Sequence, residues 1–100
     1  MLGAEPNQPM PKYVIERDIP ALGNFTPAQL GEASRKSCSV LHKLAPRVQW
    51  VHSYVTQDRM YCVYIGANPE AVREHARLGG FPANRISEVK AIIDPATGGD

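Results

Sequence analysis

A chain of 100 residues, 43% hydrophobic and 21% charged, is ordinary for one small globular domain. Eleven basic and ten acidic residues give a net charge of +1, with no run of basic residues, so we expect neither nucleic acid nor a membrane surface as a partner. No membrane-length apolar run or secretory signal is evident, and the two Cys lack metal-type spacing, so a cytoplasmic protein with reduced thiols is expected.

The ordered domain is predicted to span residues 12–95. Residues 1–11, rich in Pro, Gly and Asn, are expected to form a disordered tail, and residues 96–100 are expected to fray. Alternating residues at 12–18 predict a first strand, in which the apolar odd positions face the core. This phase leaves Glu16 on the opposite face.

A helix is predicted to begin after Thr26. Thr26 suits the N-cap, Pro27 suits the first helical position, and Gln29 suits the reciprocal position of a capping box. Apolar and small residues then recur at about 3.6 positions to an expected end near Ala45. This stripe includes Cys38, which is therefore expected in the core.

A hairpin follows over 48–65, then a helix that begins at Asn68-Pro69 and stops at Gly79-Gly80. Apolar residues within 85–93 predict the last strand. The resulting βαββαβ order predicts an α+β, ferredoxin-like fold, a four-stranded antiparallel sheet with two helices on one face. The other face must be polar or covered by a partner.

The register of the hairpin decides which side chains share a face. A three-residue turn, Gln57-Asp58-Arg59, predicts a single aromatic face, which Glu16 would join from the first strand. The members of this face in the hairpin are Trp50, His52, Tyr54, Met60, Cys62 and Tyr64. The helix side would then carry Val51, Ser53, Val55, Tyr61, Val63 and Ile65. A face so apolar favours two sheets packed together as a homodimeric α+β barrel. A two- or four-residue turn would flip one strand relative to the other.

Four side chains are candidates for chemistry. His52 suits a metal ligand, a general base or a hydrogen-bonded interface residue. Cys62 is either a thiolate ligand or a small buried hydrophobe. Glu16 would complete a ligand set or form a surface salt bridge, and His75 would reach the sheet edge or pack beside the second helix. No Ser-His-Asp order, phosphate-binding Gly loop or HExxH motif occurs, which disfavours common hydrolase and nucleotide chemistry.

Several segments resemble a bacterial domain-of-unknown-function family, namely Lys12-Tyr-Val-Ile-Glu-Arg, Trp50-Val-His-Ser-Tyr-Val, Met60-Tyr-Cys-Val-Tyr, Glu74-His-Ala-Arg, Gly80-Phe-Pro-Ala and Ile93-Asp-Pro. That family consists of small ferredoxin-like proteins and includes a nickel-binding protein. The resemblance implies the same fold, dimerisation, and binding of nickel or another divalent ion. His52, His75, Glu16 and Cys62 all fall inside the matching segments.

The leading interpretation is a non-enzymatic, cytoplasmic homodimer that binds nickel or another divalent metal. Its main ligand would be His52, assisted by Glu16 or Cys62, with His75 as a further candidate. The alternative is a cofactor-free monooxygenase or isomerase with His52 or Glu16 as its base and an apolar pocket lined by Trp50, Tyr54 and Tyr64. A third hypothesis is a plain dimerisation module.

Overall fold

A computed structural model describes residues 10–44, 47–80 and 82–99 of the chain. Its strands and helices are β1 (Lys12–Asp18), α1 (Pro27–Leu44), β2 (Val48–Val55), β3 (Arg59–Gly66), α2 (Pro69–Gly79) and β4 (Arg85–Glu88). Short 3-10 turns occupy Leu22–Asn24 and Pro95–Gly98, and the second overlaps the segment 96–100 that is predicted to fray. Residues 1–9 of the tail predicted over 1–11, and the helix end predicted at Ala45, lie outside the described residues.

The sheet has the strand order β2-β3-β1-β4, and each neighbouring pair is antiparallel. Both helices pack against one face, where the core is formed by Tyr13, Ile15, Val40, Leu44, Val48, Cys62, Tyr64, Ala71 and Val72. These features confirm the ferredoxin-like α+β fold. None of the helices in the described segments is long and apolar enough to cross a membrane.

Both helices begin at the caps that the sequence predicts. The Thr26 amide donates to Gln29 Oε1 at 2.8 Å, and the Gln29 amide donates to Thr26 Oγ1 at 3.2 Å, which completes a capping box. At α2, Asn68 Oδ1 accepts from the Ala71 amide at 2.9 Å. Gly80 ends α2 with a φ of 68°, a conformation that glycine adopts without steric cost.

The buried stripe of α1 differs from the predicted one by about one position. Ser37, Val40 and Leu44 are the buried residues of this helix, whereas Cys38 is exposed. The prediction that Cys38 lies in the core is therefore wrong. The weak contrast between small polar and small apolar residues in this helix leaves its phase poorly marked in the sequence.

Strand β4 ends at Glu88, five residues earlier than predicted. Its only neighbour in the described sheet is β1, which begins at Lys12, and the Val89 amide donates to the Lys12 carbonyl at 2.8 Å. Beyond this bond β1 offers no further backbone to pair with. Ile92 and Ile93 follow as exposed residues, with 70% and 77% of their surfaces accessible.

The hairpin turns over two residues, so the predicted three-residue turn is wrong. The Thr56 amide donates to the Arg59 carbonyl at 2.9 Å, which leaves Gln57 and Asp58 at the tip. This tip is tied to the loop after β1, where the Ala21 amide donates to Asp58 Oδ1 at 2.9 Å. A contact between distant segments therefore helps to hold the turn.

The shorter turn reverses the faces of β3, and a bulge divides β2. Tyr61 and the two alternate residues after it now face away from the helices, whereas Cys62 and Tyr64 face towards them. Between Trp50 and His52 the register with β3 shifts, so that Trp50 lies on the helix side and His52 on the other. We call the side away from the helices the open face; its members in β1, β2 and β3 include Val14, Glu16, His52, Tyr54, Tyr61, Val63 and Ile65.

Candidate functional site

His52 is an exposed imidazole on the open face. Its ring meets the Tyr54 ring edge-on, with the centroids 4.9 Å apart and an angle of 73° between the planes. In the register, His52 is opposite Val63, and Tyr54 is opposite Tyr61. The imidazole is thus accessible and is oriented by a neighbouring aromatic side chain.

Glu16 lies on the same open face but on the far side of β3. Glu16 is paired with Tyr61, whereas His52 is paired with Val63. The strands of Glu16 and His52 are separated by β3, and two strand spacings correspond to about 10 Å between them. Glu16 Oε1 lies 3.5 Å from Arg59 Nη1, and Arg59 Nε donates to Asp18 Oδ1 at 2.8 Å. These partly exposed ion pairs correspond to the salt-bridged alternative for Glu16 and contribute little to stability.

The remaining predicted ligands lie on the helix side of the sheet. Cys62 is 2% exposed, and His75, a residue of α2, is fully buried. The grouping of Cys62 with Glu16 and His52 on one face is therefore wrong, because the two-residue turn reverses β3. Within residues 10–44, 47–80 and 82–99, no three His, Cys, Asp or Glu side chains lie close enough to hold a metal ion.

Arg17 is a buried cation that brings two of the predicted residues together. Only 2% of its surface is exposed, because β1 directs its odd-numbered residues towards the helices. Its guanidinium donates to Cys62 Sγ at 3.3 Å, to the Pro82 carbonyl at 2.6 Å and to Tyr64 Oη at 3.4 Å. Buried arginine requires such hydrogen bonds.

His75 extends this buried polar cluster towards α1. Its Nε2 lies 3.1 Å from Ser37 Oγ, and its ring is tilted against that of Tyr64 with the centroids 4.9 Å apart. Burial, assisted by the positive charge of Arg17, lowers the pKa of His75 to about 4. The imidazole is therefore neutral at pH 7. Burial also raises the pKa of Tyr64, whose phenol stays protonated.

A cavity of about 310 Å³ lies between α1 and the helix side of the sheet; we call it the α1 cavity. Arg17, Cys62 and Tyr64 line it at its buried end, and Trp50 lines its wall. Tyr54, the other aromatic residue predicted for a pocket, lies on the open face and does not line this cavity.

Sequence reasoning placed Cys62 and Tyr64 on one face but did not connect His75 with them, and it missed Arg17 and Ser37. The available signal for Arg17 was its odd position in β1, in phase with Ile15. Ser37 carried no comparable signal, because a serine within a helix is unremarkable.

Comparisons with known proteins identify a family. The family described as nickel responsive protein SCO4226-like matches residues 13–89. Among solved structures, the crystal structure of SCO4226 from Streptomyces coelicolor A3(2) matches with a TM-score of 0.67 at 23% identity. This match covers 82% of the present chain and 99% of the other, and at this identity it establishes the fold. No curated protein matches.

Proposed function

The chain belongs to the SCO4226-like family of nickel-responsive proteins, and on that basis we propose that it is a cytoplasmic, non-enzymatic homodimer that binds nickel. The observation that carries the proposal is the exposed imidazole of His52, in a chain of this family, on the sheet face that the described helices leave uncovered. Neutral imidazole is a good ligand for Ni²⁺, which ranks high in affinity among divalent ions.

The open face supports the proposed dimer. It presents half-buried Val14, Tyr61 and Val63, together with Tyr54, which is 59% exposed. The helices cover only the other face of the sheet. A second copy packed face to face would remove this apolar surface from water and give the isologous interface that is common in homodimers.

A second copy would also supply additional ligands for the metal ion. One chain offers no group of three possible ligands in its described segments, but a two-fold axis duplicates every side chain on the open face. We propose that His52 is the principal ligand, that Glu16 is the carboxylate candidate on the same face, and that the partner copy supplies the remaining ligands. Cys62 and His75 lie behind the sheet and are not part of this proposed site.

The test is thermal unfolding of tag-free protein with and without Ni²⁺, Zn²⁺ and Cu²⁺. A ligand at 100 times its Kd stabilises the folded state by about 2.7 kcal/mol, which raises the Tm of a domain this size by about 10 °C or more. We expect a rise with Ni²⁺ that His52→Ala removes. The matched control is His42→Ala, because His42 is exposed on α1, on the other side of the sheet. No shift with any ion, or an unchanged shift in His52→Ala, would contradict the proposal.

The α1 cavity favours a second candidate, a cofactor-free small-molecule enzyme. His52 and Glu16, the bases that the sequence suggested for such an enzyme, lie on the open face and so do not reach this cavity. In their place the candidate base is His75, whose imidazole is neutral at pH 7 and contacts Ser37, a residue that lines the cavity. Turnover of a small substrate that is lost in His75→Gln, and retained in His52→Ala, would favour this function over nickel binding.

A further inference from the structure

We propose that the α1 cavity binds a small amphipathic carboxylate, with the carboxylate at Arg17 and the apolar tail along the walls. The proposed nickel site lies on the opposite face of the sheet, so this inference does not depend on it. It also holds whether or not the cavity supports a reaction.

The cavity leads from an exposed apolar rim to a buried polar floor. Phe25 and Val55 line it and are 37% and 43% exposed. Arg17, Cys62 and Tyr64 line it as well, and each is only 2% exposed. The walls between them are mostly apolar, with Ile19, Leu22, Leu30, Ala33, Trp50 and Met60 among the lining residues. Such a gradient suits a ligand with one polar end and one apolar end.

The floor carries a fixed positive charge. A guanidinium carries a positive charge at any ordinary pH, and this charge lowers the pKa of His75 further than burial alone does. Arg17 donates to the sulfur of Cys62 and to the phenol oxygen of Tyr64, and cysteine sulfur is a weak hydrogen-bond acceptor.

An incoming carboxylate would improve on these two acceptors. A carboxylate carries a negative charge and can accept two parallel hydrogen bonds from a guanidinium, which neither a phenol oxygen nor a sulfur atom can do. The bond from Arg17 to the Pro82 carbonyl, at 2.6 Å, would keep the guanidinium in place during the exchange. The protonated phenol of Tyr64 would then be available as a further donor to the bound anion.

The volume limits the size of the ligand. At about 30 Å³ for each water, 310 Å³ corresponds to about ten water molecules, and so to a ligand of about ten non-hydrogen atoms. Octanoate has this size and the required chemistry. A large lipid with two chains would exceed the cavity.

The first test compares octanoate with octanamide, its neutral analogue of the same shape, by calorimetric titration of the unmodified protein. We expect octanoate to bind and octanamide to bind at least tenfold more weakly, because only the carboxylate complements Arg17. Equal affinities would overturn the role of Arg17. Failure of octanoate to bind would overturn the site itself.

A pair of variants locates the binding. Replacing Arg17 risks unfolding the domain, because it is buried and hydrogen-bonded, so the wall is altered instead. Ala33→Leu adds bulk to the cavity wall, and Ala28→Leu makes the same change at an exposed position of α1 that does not line the cavity. We expect Ala33→Leu to weaken octanoate binding at least tenfold and Ala28→Leu to leave it unchanged. Equal binding by folded Ala33→Leu would place the ligand elsewhere and refute the proposal.

Discussion

The buried imidazole of His75 should make the stability of this fold depend on pH. Burial and the charge of Arg17 lower its pKa from 6.5 in the unfolded chain to about 4 in the folded protein. Between these values the unfolded state binds more protons, so the stabilisation is fully present above pH 6.5 and is lost as the pH falls towards 4. Between pH 7 and pH 5 the expected loss is about 2 kcal/mol.

The assay is urea unfolding at pH 7 and pH 5, followed by the fluorescence of Trp50 at a fixed protein concentration. In His75→Gln the decrease in unfolding free energy between the two pH values should be smaller by about 2 kcal/mol, because glutamine does not titrate. His42→Gln is the control: His42 is exposed, and its replacement should leave the decrease as it is. The same pH dependence in His75→Gln as in the unmodified protein would refute the reasoning.

Two further predictions concern local packing and capping. Gly66→Ala should lower the unfolding free energy by about 1–3 kcal/mol, because the added Cβ would lie 2.8 Å from Val72 Cγ2. Gly31→Ala should raise it by about 0.5–1 kcal/mol, because glycine within a helix is less favourable than alanine. If thermal unfolding gave the opposite order of the two variants, both predictions would be contradicted. Asn68→Ala should cost about 1 kcal/mol by removing the acceptor for the Ala71 amide, and Asn68→Asp, which keeps an acceptor, should cost less in the same assay.

The elements of the fold were predictable because their signals are local. The capping box at Thr26 and Gln29 and the cap at Asn68 each depend on residues within three positions, and all form as expected. The alternation in β1 likewise depends only on neighbouring residues. Local hydrogen bonding and side-chain periodicity therefore suffice to predict the order βαββαβ.

The faces of the hairpin were not predictable from the same kind of signal. A turn of two or three residues around Asp58 changes which face of β3 carries Cys62, and the choice involves a bond from the Ala21 amide 37 positions away. The bulge between Trp50 and His52 then changes the phase within a single strand. Neither the length of the turn nor the position of the bulge can be read from the alternation of apolar and polar residues.

The buried cluster around Arg17 shows the same limit. Its position in β1 predicts that it points inwards, but a charged residue at a core position needs partners that periodicity does not supply. Those partners, Cys62, Tyr64 and the Pro82 carbonyl, lie 45 to 65 positions further along the chain. Only the assembled sheet brings them to one place.

The most direct test of the proposed function is a calorimetric titration of Ni²⁺ into the tag-free protein and into His52→Ala and His42→Ala. We predict saturable binding by the unmodified protein and by His42→Ala, and loss of most of the affinity in His52→Ala while its fold is retained. Undiminished nickel binding by His52→Ala, or no binding by the unmodified protein, would contradict the assignment of a nickel site to the open face.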